Sequence, residues 1–160
     1  MSIEIRPACV GDAPLVIEFI SKLAEYEKLS GEMAATEAML DAALFGPNPR
    51  VFCDLAFWDG EPAGFALWFY SFSTFLGEHG IYLEDLFVDV EHRGRGIGKA
   101  LIAHLARRCI DEGLKRLDWQ VLDWNAPSIA FYSSIGAETR VDWLSNRLSG
   151  EALARLAEVG

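Results

Sequence analysis

Eight consecutive residues, His92-Arg93-Gly94-Arg95-Gly96-Ile97-Gly98-Lys99, carry the most readable chemistry in this chain. Three glycines at alternate positions lie between an apolar run, Ile81 to Val90, and a periodic segment reaching about Asp111. Glycine admits backbone angles closed to other residues and leaves no Cβ in the way. The first amides of the helix that follows would be exposed at the positive end of its dipole. Together these make an anion site, and a phosphate or pyrophosphate is the anion that suits it. Two familiar glycine loops do not fit. The pattern G-x-x-x-x-G-K-[ST] would put Arg93 at its first glycine and Ala100 where its metal-binding hydroxyl belongs, and in G-x-G-x-x-G the third glycine would fall one residue later than Gly98. A glycine-rich turn with a solvated basic rim would contain the same residues, so the loop alone leaves that reading open.

Composition narrows the partners. The 160 residues are 51% hydrophobic and 24% charged, enough for one domain with a real core, expected to span residues 1–160. The formal net charge of −10 repels nucleic acid and anionic membranes, so neither is an expected partner. Basic residues nonetheless gather at Arg93, Arg95, Lys99, Arg107 and Arg108, around the glycine loop. A locally basic pocket on an acidic protein fits an anionic cofactor meeting a cationic substrate, although a general acidic bias would give the same net charge. Cys9, Cys53 and Cys109 are odd in number and far apart, which favours reduced thiols over disulfides. His79, His92 and His104 show no ligand spacing, and no metal is expected. No apolar run has the length of a membrane span, and Met1 to Arg6 lacks a signal layout, so a cytoplasmic location is expected.

The elements that must position the loop follow from periodicity. Ile3 and Ile5 alternate as a first strand, and Asp12 with Pro14 opens a helix that ends near Leu29. A second helix covers about Thr36 to Leu44 and stops at Gly46-Pro47-Asn48-Pro49. Strands Val51 to Trp58 and Ala63 to Phe72 flank the turn Asp59-Gly60-Glu61-Pro62, and Ile81 to Val90 is the next strand. A helix from about Gly98 to Asp111, a strand from Leu117 to Leu122, and a short helix capped by Asn125 follow. Val141 to Leu148 reads as a late strand before a terminal helix from about Gly150 to Ala157. The order predicts an α/β fold with a mixed, twisted sheet of six to seven strands flanked by helices.

The segment Arg93 to Gly98 also reads as [RQ]-x-x-G-x-[GA], and other stretches accompany it in order. They are Ile5 to Ala8, Leu23 to Glu27, Tyr82 to Val88, Trp124 to Ile129, Phe131-Tyr132 and Gly136-Ala137. In this combination the chain resembles the GNAT superfamily of N-acetyltransferases, specifically its spermidine/spermine (diamine) acetyltransferase branch. The resemblance spans nearly the whole chain. It implies a GNAT fold, acetyl-CoA as cosubstrate, a small cationic amine as acceptor and a homodimer. Cofactor contacts would come from Leu86, Phe87 and Val88, from Arg93, Gly94, Arg95, Gly96, Ile97, Gly98 and Lys99, and from Asn125 and Tyr132.

Amine chemistry gives the remaining residues their parts. A primary amine of pKa ~10 is almost wholly protonated at neutral pH, and must lose a proton to attack a thioester. Glu84 matches the family's general base, and Asp85 lies beside it. Neighbours on a regular strand face opposite ways, so both reach one cleft only if the strand is bulged there. Without the family pattern, one buried and one solvated carboxylate would be the plainer reading. Tyr132 matches the family's general acid, protonating the leaving thiolate. Its spacing from Ile129 and Ile135 would equally suit simple packing, just as Asn125 would suffice as an N-cap. Tyr26 and Glu27 match residues that line the amine pocket. No cysteine occupies a motif position, so direct transfer in a ternary complex is expected.

One segment departs from the pattern. Polyamine-specific members carry Asp-Pro-Trp ahead of the Glu84 strand, where this chain has Ser73-Thr74-Phe75 and roughly one extra residue. That version looks more like the thialysine-acetylating members. A small primary amine, diamine or amino-acid-like amine is therefore expected ahead of spermine. A protein or peptide acetyltransferase, or a CoA-binding module without activity, are the alternatives.

Overall fold

The computed structural model describes residues 1–160, which contacts divide into two compact units, residues 1–124 and residues 125–160. The first unit contains β1 (Ile3–Pro7), α1 (Ala13–Tyr26), α2 (Glu37–Phe45), β2 (Phe52–Trp58), β3 (Glu61–Ser73), β4 (Glu78–Val88), α3 (Ile97–Glu112) and β5 (Leu117–Trp119). Its sheet runs in the order β1-β2-β3-β4-β5. The first four strands are antiparallel, and α3 is the crossover that brings β5 in parallel to β4. The β2–β3 turn follows from its sequence. Asp59 and Gly60 both take positive φ, 48° and 86°, and Trp58 pairs with Glu61, so the two-residue loop has the twist that antiparallel strands favour.

The two sheet faces differ. One packs Cys53, Leu55, Phe65, Leu67 and Phe87 against Val16 and Phe19 of α1 and Leu44 of α2, with Phe19 and Phe65 stacked at 5.7 Å. The opposite face meets α3, whose Arg108 guanidinium lies 5.1 Å over the Trp68 ring. Asp54 on this face is only 2% exposed, and its carboxylate accepts the Trp68 indole N–H at 2.8 Å. That bond offsets the cost of burying the acid.

Alternation is reversed at two places, at Ala63 of β3, where Ala56 opposes Gly64 and Phe57 opposes Pro62, and on β4. Leu67 opposes Asp85 while Trp68 opposes Leu83, so Glu84 is an extra residue with no partner opposite it. An inserted residue shifts every later side chain to the other face. Asp85 and Phe87 therefore share the α1 face with Leu67, whereas Leu83 and Ile81 share the α3 face with Trp68 and Tyr70.

In the second unit, α4 (Ala126–Ser134) and α5 (Gly150–Ala157) are joined by residues 135–149 without regular secondary structure. The sheet thus has five strands rather than six to seven. The expected strand from Val141 to Leu148 does not form, and β5 stops at Trp119 rather than Leu122. Alternating apolar residues make a strand only where a neighbouring backbone completes the ladder. Trp143 and Leu144, on successive positions, are 75% and 86% exposed, so neither side of the segment is covered. At the other end of the chain, α1 stops at Tyr26, and Lys28 takes a left-handed φ of 61°. Asp12 stands at the N-cap of α1 without capping it. Its carboxylate instead receives two bonds from Arg6, at 2.7 and 3.2 Å, and the Cys9 amide at 2.8 Å. No helix is long and apolar enough to cross a membrane.

Candidate active site

The glycine loop leads from β4 into α3 through a single turn at Val90–His92. Gly94 and Gly96 have φ of 76° and 81°, and Gly96 is the N-cap of α3. A Cβ at either position would meet nothing within 4 Å, so the space above both is open. The first helical bond runs from the Ala100 amide to the Gly96 carbonyl at 2.9 Å. The amides of Ile97, Gly98 and Lys99 therefore precede the ladder and face outward at the dipole's positive end. An open backbone cradle with aligned N–H donors is suited to a pyrophosphate. Arg95 sits at its edge, with its guanidinium 3.1 Å from the buried His92 Nδ1 and 4.9 Å from the Trp58 ring centre.

Arg93 turns back onto the end of β4 and onto α1. Its Nε donates to the Val88 carbonyl at 3.0 Å, and its guanidinium lies 4.8 Å over Tyr26 and 5.7 Å from Phe87. Sequence reading missed this clamp, because nothing in the spacing of Tyr26 and Arg93 shows that the end of α1 meets the end of β4.

Beside the loop, β4 opens away from its neighbour. Its pairing with β5 covers only Ile81, Leu83 and the residue between them. From Glu84 onward no strand lies along that edge, while the opposite edge stays paired with β3 through Val88. The backbone from Leu86 to Val88 is thus half-laddered and, apart from the Val88 carbonyl that Arg93 occupies, open to an extended ligand.

The bulge leaves Glu84 unpaired immediately before Asp85. Glu84 is exposed and Asp85 half-buried. Burial first, then the charges of Glu84 and Glu27, push the Asp85 carboxyl up to about 7. Glu27, the residue just past α1, is also raised by burial. Two further acids thus act on Asp85, and no cation is among the groups that act on it. Tyr26 adds an aromatic wall, its ring 6.3 Å from Trp124, which in turn carries the Lys28 ammonium at 4.9 Å. The Trp124 ring face is thus occupied by a cation, as the faces of such rings often are.

The raised Asp85 carboxyl has a consequence for stability. Its folded value lies above the ordinary 3.8, so the carboxylate costs stability above about pH 4, in full above pH 7. Asp85→Asn removes that cost. After discounting for solvent, the gain is expected to be about 1 kcal/mol, or roughly 2–4 °C in melting midpoint at pH 8. Calorimetry should show the gain vanish at pH 4; an equal gain at both pH values would refute the charge argument.

The remaining candidates lie on the second unit. Asn125 caps α4, its Oδ1 accepting the Ser128 amide at 3.3 Å. Tyr132 is seven residues on, two helical turns, and so shares a face with Asn125. Its ring is 5.4 Å from that of Phe131. By contrast, Ser73-Thr74-Phe75 occupies the tip of the β3–β4 hairpin, which closes at the Ser73–Glu78 pair. Glu84 lies six residues along the strand from Glu78, about 20 Å at ~3.3 Å per residue. A lysine-sized amine held at Glu84 and Asp85 does not span that distance.

A phosphate cradle at a helix start, a half-laddered strand beside it and an acid cluster for an ammonium group are what an enzyme needs to move an acyl group onto an amine. The chain belongs to the acetyltransferase (GNAT) family, whose model matches residues 17–137, and is an N-acetyltransferase. It is 38% identical to the thialysine N-epsilon-acetyltransferase of Sus scrofa over 98% of both chains. It is 29% identical to an L-ornithine N5-acetyltransferase of Arabidopsis thaliana, over 93% of this chain and 85% of that one. Among solved structures, an integron cassette protein from the mobile metagenome of V. cholerae superposes with a TM-score of 0.81, at 32% identity and 99% coverage of both chains.

Proposed function

We propose that this enzyme transfers an acetyl group from acetyl-CoA directly to the primary amine of a small diamine, polyamine or lysine-like substrate within a ternary complex. The observation that carries the reading is the bulge at Glu84, which sets two carboxylates on one face of β4 next to its unpaired edge. The names of the relatives, one acting on thialysine and one on L-ornithine, favour an amino-acid-like amine.

Acetyl-CoA would supply an activated acetyl thioester. The amides of Ile97, Gly98 and Lys99, with Gly94 and Gly96 keeping the cradle open, would hold its pyrophosphate, helped by Arg93, Arg95 and Asn125. Backbone donors between Leu86 and Val88 would stabilise charge growing on the thioester oxygen. Tyr26 and Glu27 would receive the amine, and the Glu84–Asp85 pair would take one proton from its ammonium form. As the C–N bond forms and the C–S bond breaks, Tyr132 would give its proton to the departing sulfur. The second amine proton, released as the amide forms, restores the phenol. Burial pushes the Cys53 and Cys109 thiols up, so neither of these two is suited to an acetyl-enzyme route.

The test is a panel of putrescine, spermidine, lysine, thialysine, ornithine and an N-terminal peptide, read by release of free CoA. Turnover of the small amines supports the reading. Turnover of the peptide alone would make it a protein acetyltransferase, and none at all would make it a binding module.

The reading includes a homodimer. Phe75, at the hairpin tip, is 96% exposed, and the apolar segment around Trp143 lacks a backbone partner. A second copy would cover such surfaces, and would let a hairpin tip act outside its own protomer. Sedimentation equilibrium is expected to give twice the chain mass, and a monomer at micromolar concentration would contradict this.

A further inference from the structure

We propose that Asp85, and not Glu84, is the group that takes the proton from the attacking amine, with Glu84 acting at the rim to draw the ammonium in. The assignment rests on the acetyl-transfer reading and on the depth at which the bulge sets the two residues. Glu84 is the inserted residue: it opposes nothing on β3 and is exposed. Asp85 is held in register opposite Leu67, in the same line as Phe65 and Phe87, at the boundary between core and cleft. Glu84 and Asp85 both lie where β4 has lost its β5 neighbour, since that pairing ends at Leu83, and Asp85 is the one adjoining Leu86.

A proton acceptor works best when its own proton affinity is close to that of the medium, because it must be empty before the step and able to hold the proton during it. Depth and like charge both move Asp85 toward that condition. The charged groups acting on it are Glu84 from its own strand and Glu27 from the end of α1. From the other packed strands it meets Leu67 of β3 and, on β2, the Cys53 thiol with which it interacts. No cation figures among them, so the positive charge that the cluster lacks is the substrate's. Asp85 accepts one ammonium proton, the amine lone pair forms the new bond, and Asp85 releases the proton to solvent after product leaves.

The pH dependence of kcat/KM separates the two carboxylates, measured with the fastest amine of the panel at saturating acetyl-CoA. Wild-type enzyme is expected to lose activity below an acid limb near neutrality. Removing the neighbouring charge in Glu84→Gln should keep the limb and move it about one pH unit lower, since the like charge that held it up is gone. Asp85→Asn should flatten the limb and lower kcat/KM at least 100-fold, with both variants melting cooperatively. Loss of the limb in Glu84→Gln, or its survival in Asp85→Asn, overturns the assignment. A wild-type enzyme that acetylates no amine overturns the acetyl-transfer reading instead, before either variant is made.

Discussion

Replacing Tyr132 with Phe is expected to lower kcat by about two orders of magnitude while changing acetyl-CoA affinity less than about threefold, in line with the usual contribution of a general acid. The substitution removes one hydroxyl and leaves the ring beside Phe131, so α4 keeps its packing. At neutral pH an ordinary phenol is almost fully protonated, whereas a thiolate leaving group needs a proton as it departs. Asn125, two turns earlier on the same face, fixes the start of α4 and with it the direction in which Tyr132 emerges. The discriminating measurement is single-turnover acetylation alongside calorimetric titration of acetyl-CoA. A kcat near that of the wild type would remove Tyr132 from the reaction. A large loss of cofactor affinity with kcat unchanged would make it a binding residue only.

The parts of this site that were legible in the sequence are those set by local backbone rules. Gly94 and Gly96 announce left-handed angles because other residues pay steric energy there, and the angles are found. Asp59-Gly60 announces a tight hairpin for the same reason. The bulge at Glu84 was legible indirectly: two acids could serve one cleft only if alternation broke between them. What could not be read depends on non-local geometry. Whether Val141 to Leu148 becomes a strand depends on a backbone partner that its own alternation does not specify. The clamp of Arg93 on Tyr26 joins residues 67 positions apart in sequence. The proton affinity of Asp85 depends on its depth and on Glu27, which arrives from another element. The distance of Ser73 to Phe75 from Glu84 was available from strand length alone, and would have shown that the departure from the family pattern does not lie within reach of a short amine in the same protomer.

Gly96→Leu is expected to weaken acetyl-CoA binding at least 100-fold by two separable effects. Gly96 carries φ of 81° as the N-cap of α3, and a left-handed conformation costs an L-residue roughly 1–2 kcal/mol. That strain would lower the melting midpoint by a few degrees without preventing folding. The second effect is steric. A Cβ at this position meets nothing within 4 Å of the protein, so an isobutyl group would point freely into the volume where the pyrophosphate must approach the helix amides. Gly96→Ala separates the two, since it adds the backbone strain but little bulk. Calorimetric titration should therefore rank affinity as wild type, then Ala, then Leu, while the melting midpoints of Ala and Leu fall together. If Ala and Leu bind acetyl-CoA equally, conformation rather than occupancy of the cradle governs the site. If both bind as tightly as the wild type, the phosphate is held elsewhere, and the glycines serve only to turn the chain from β4 into α3.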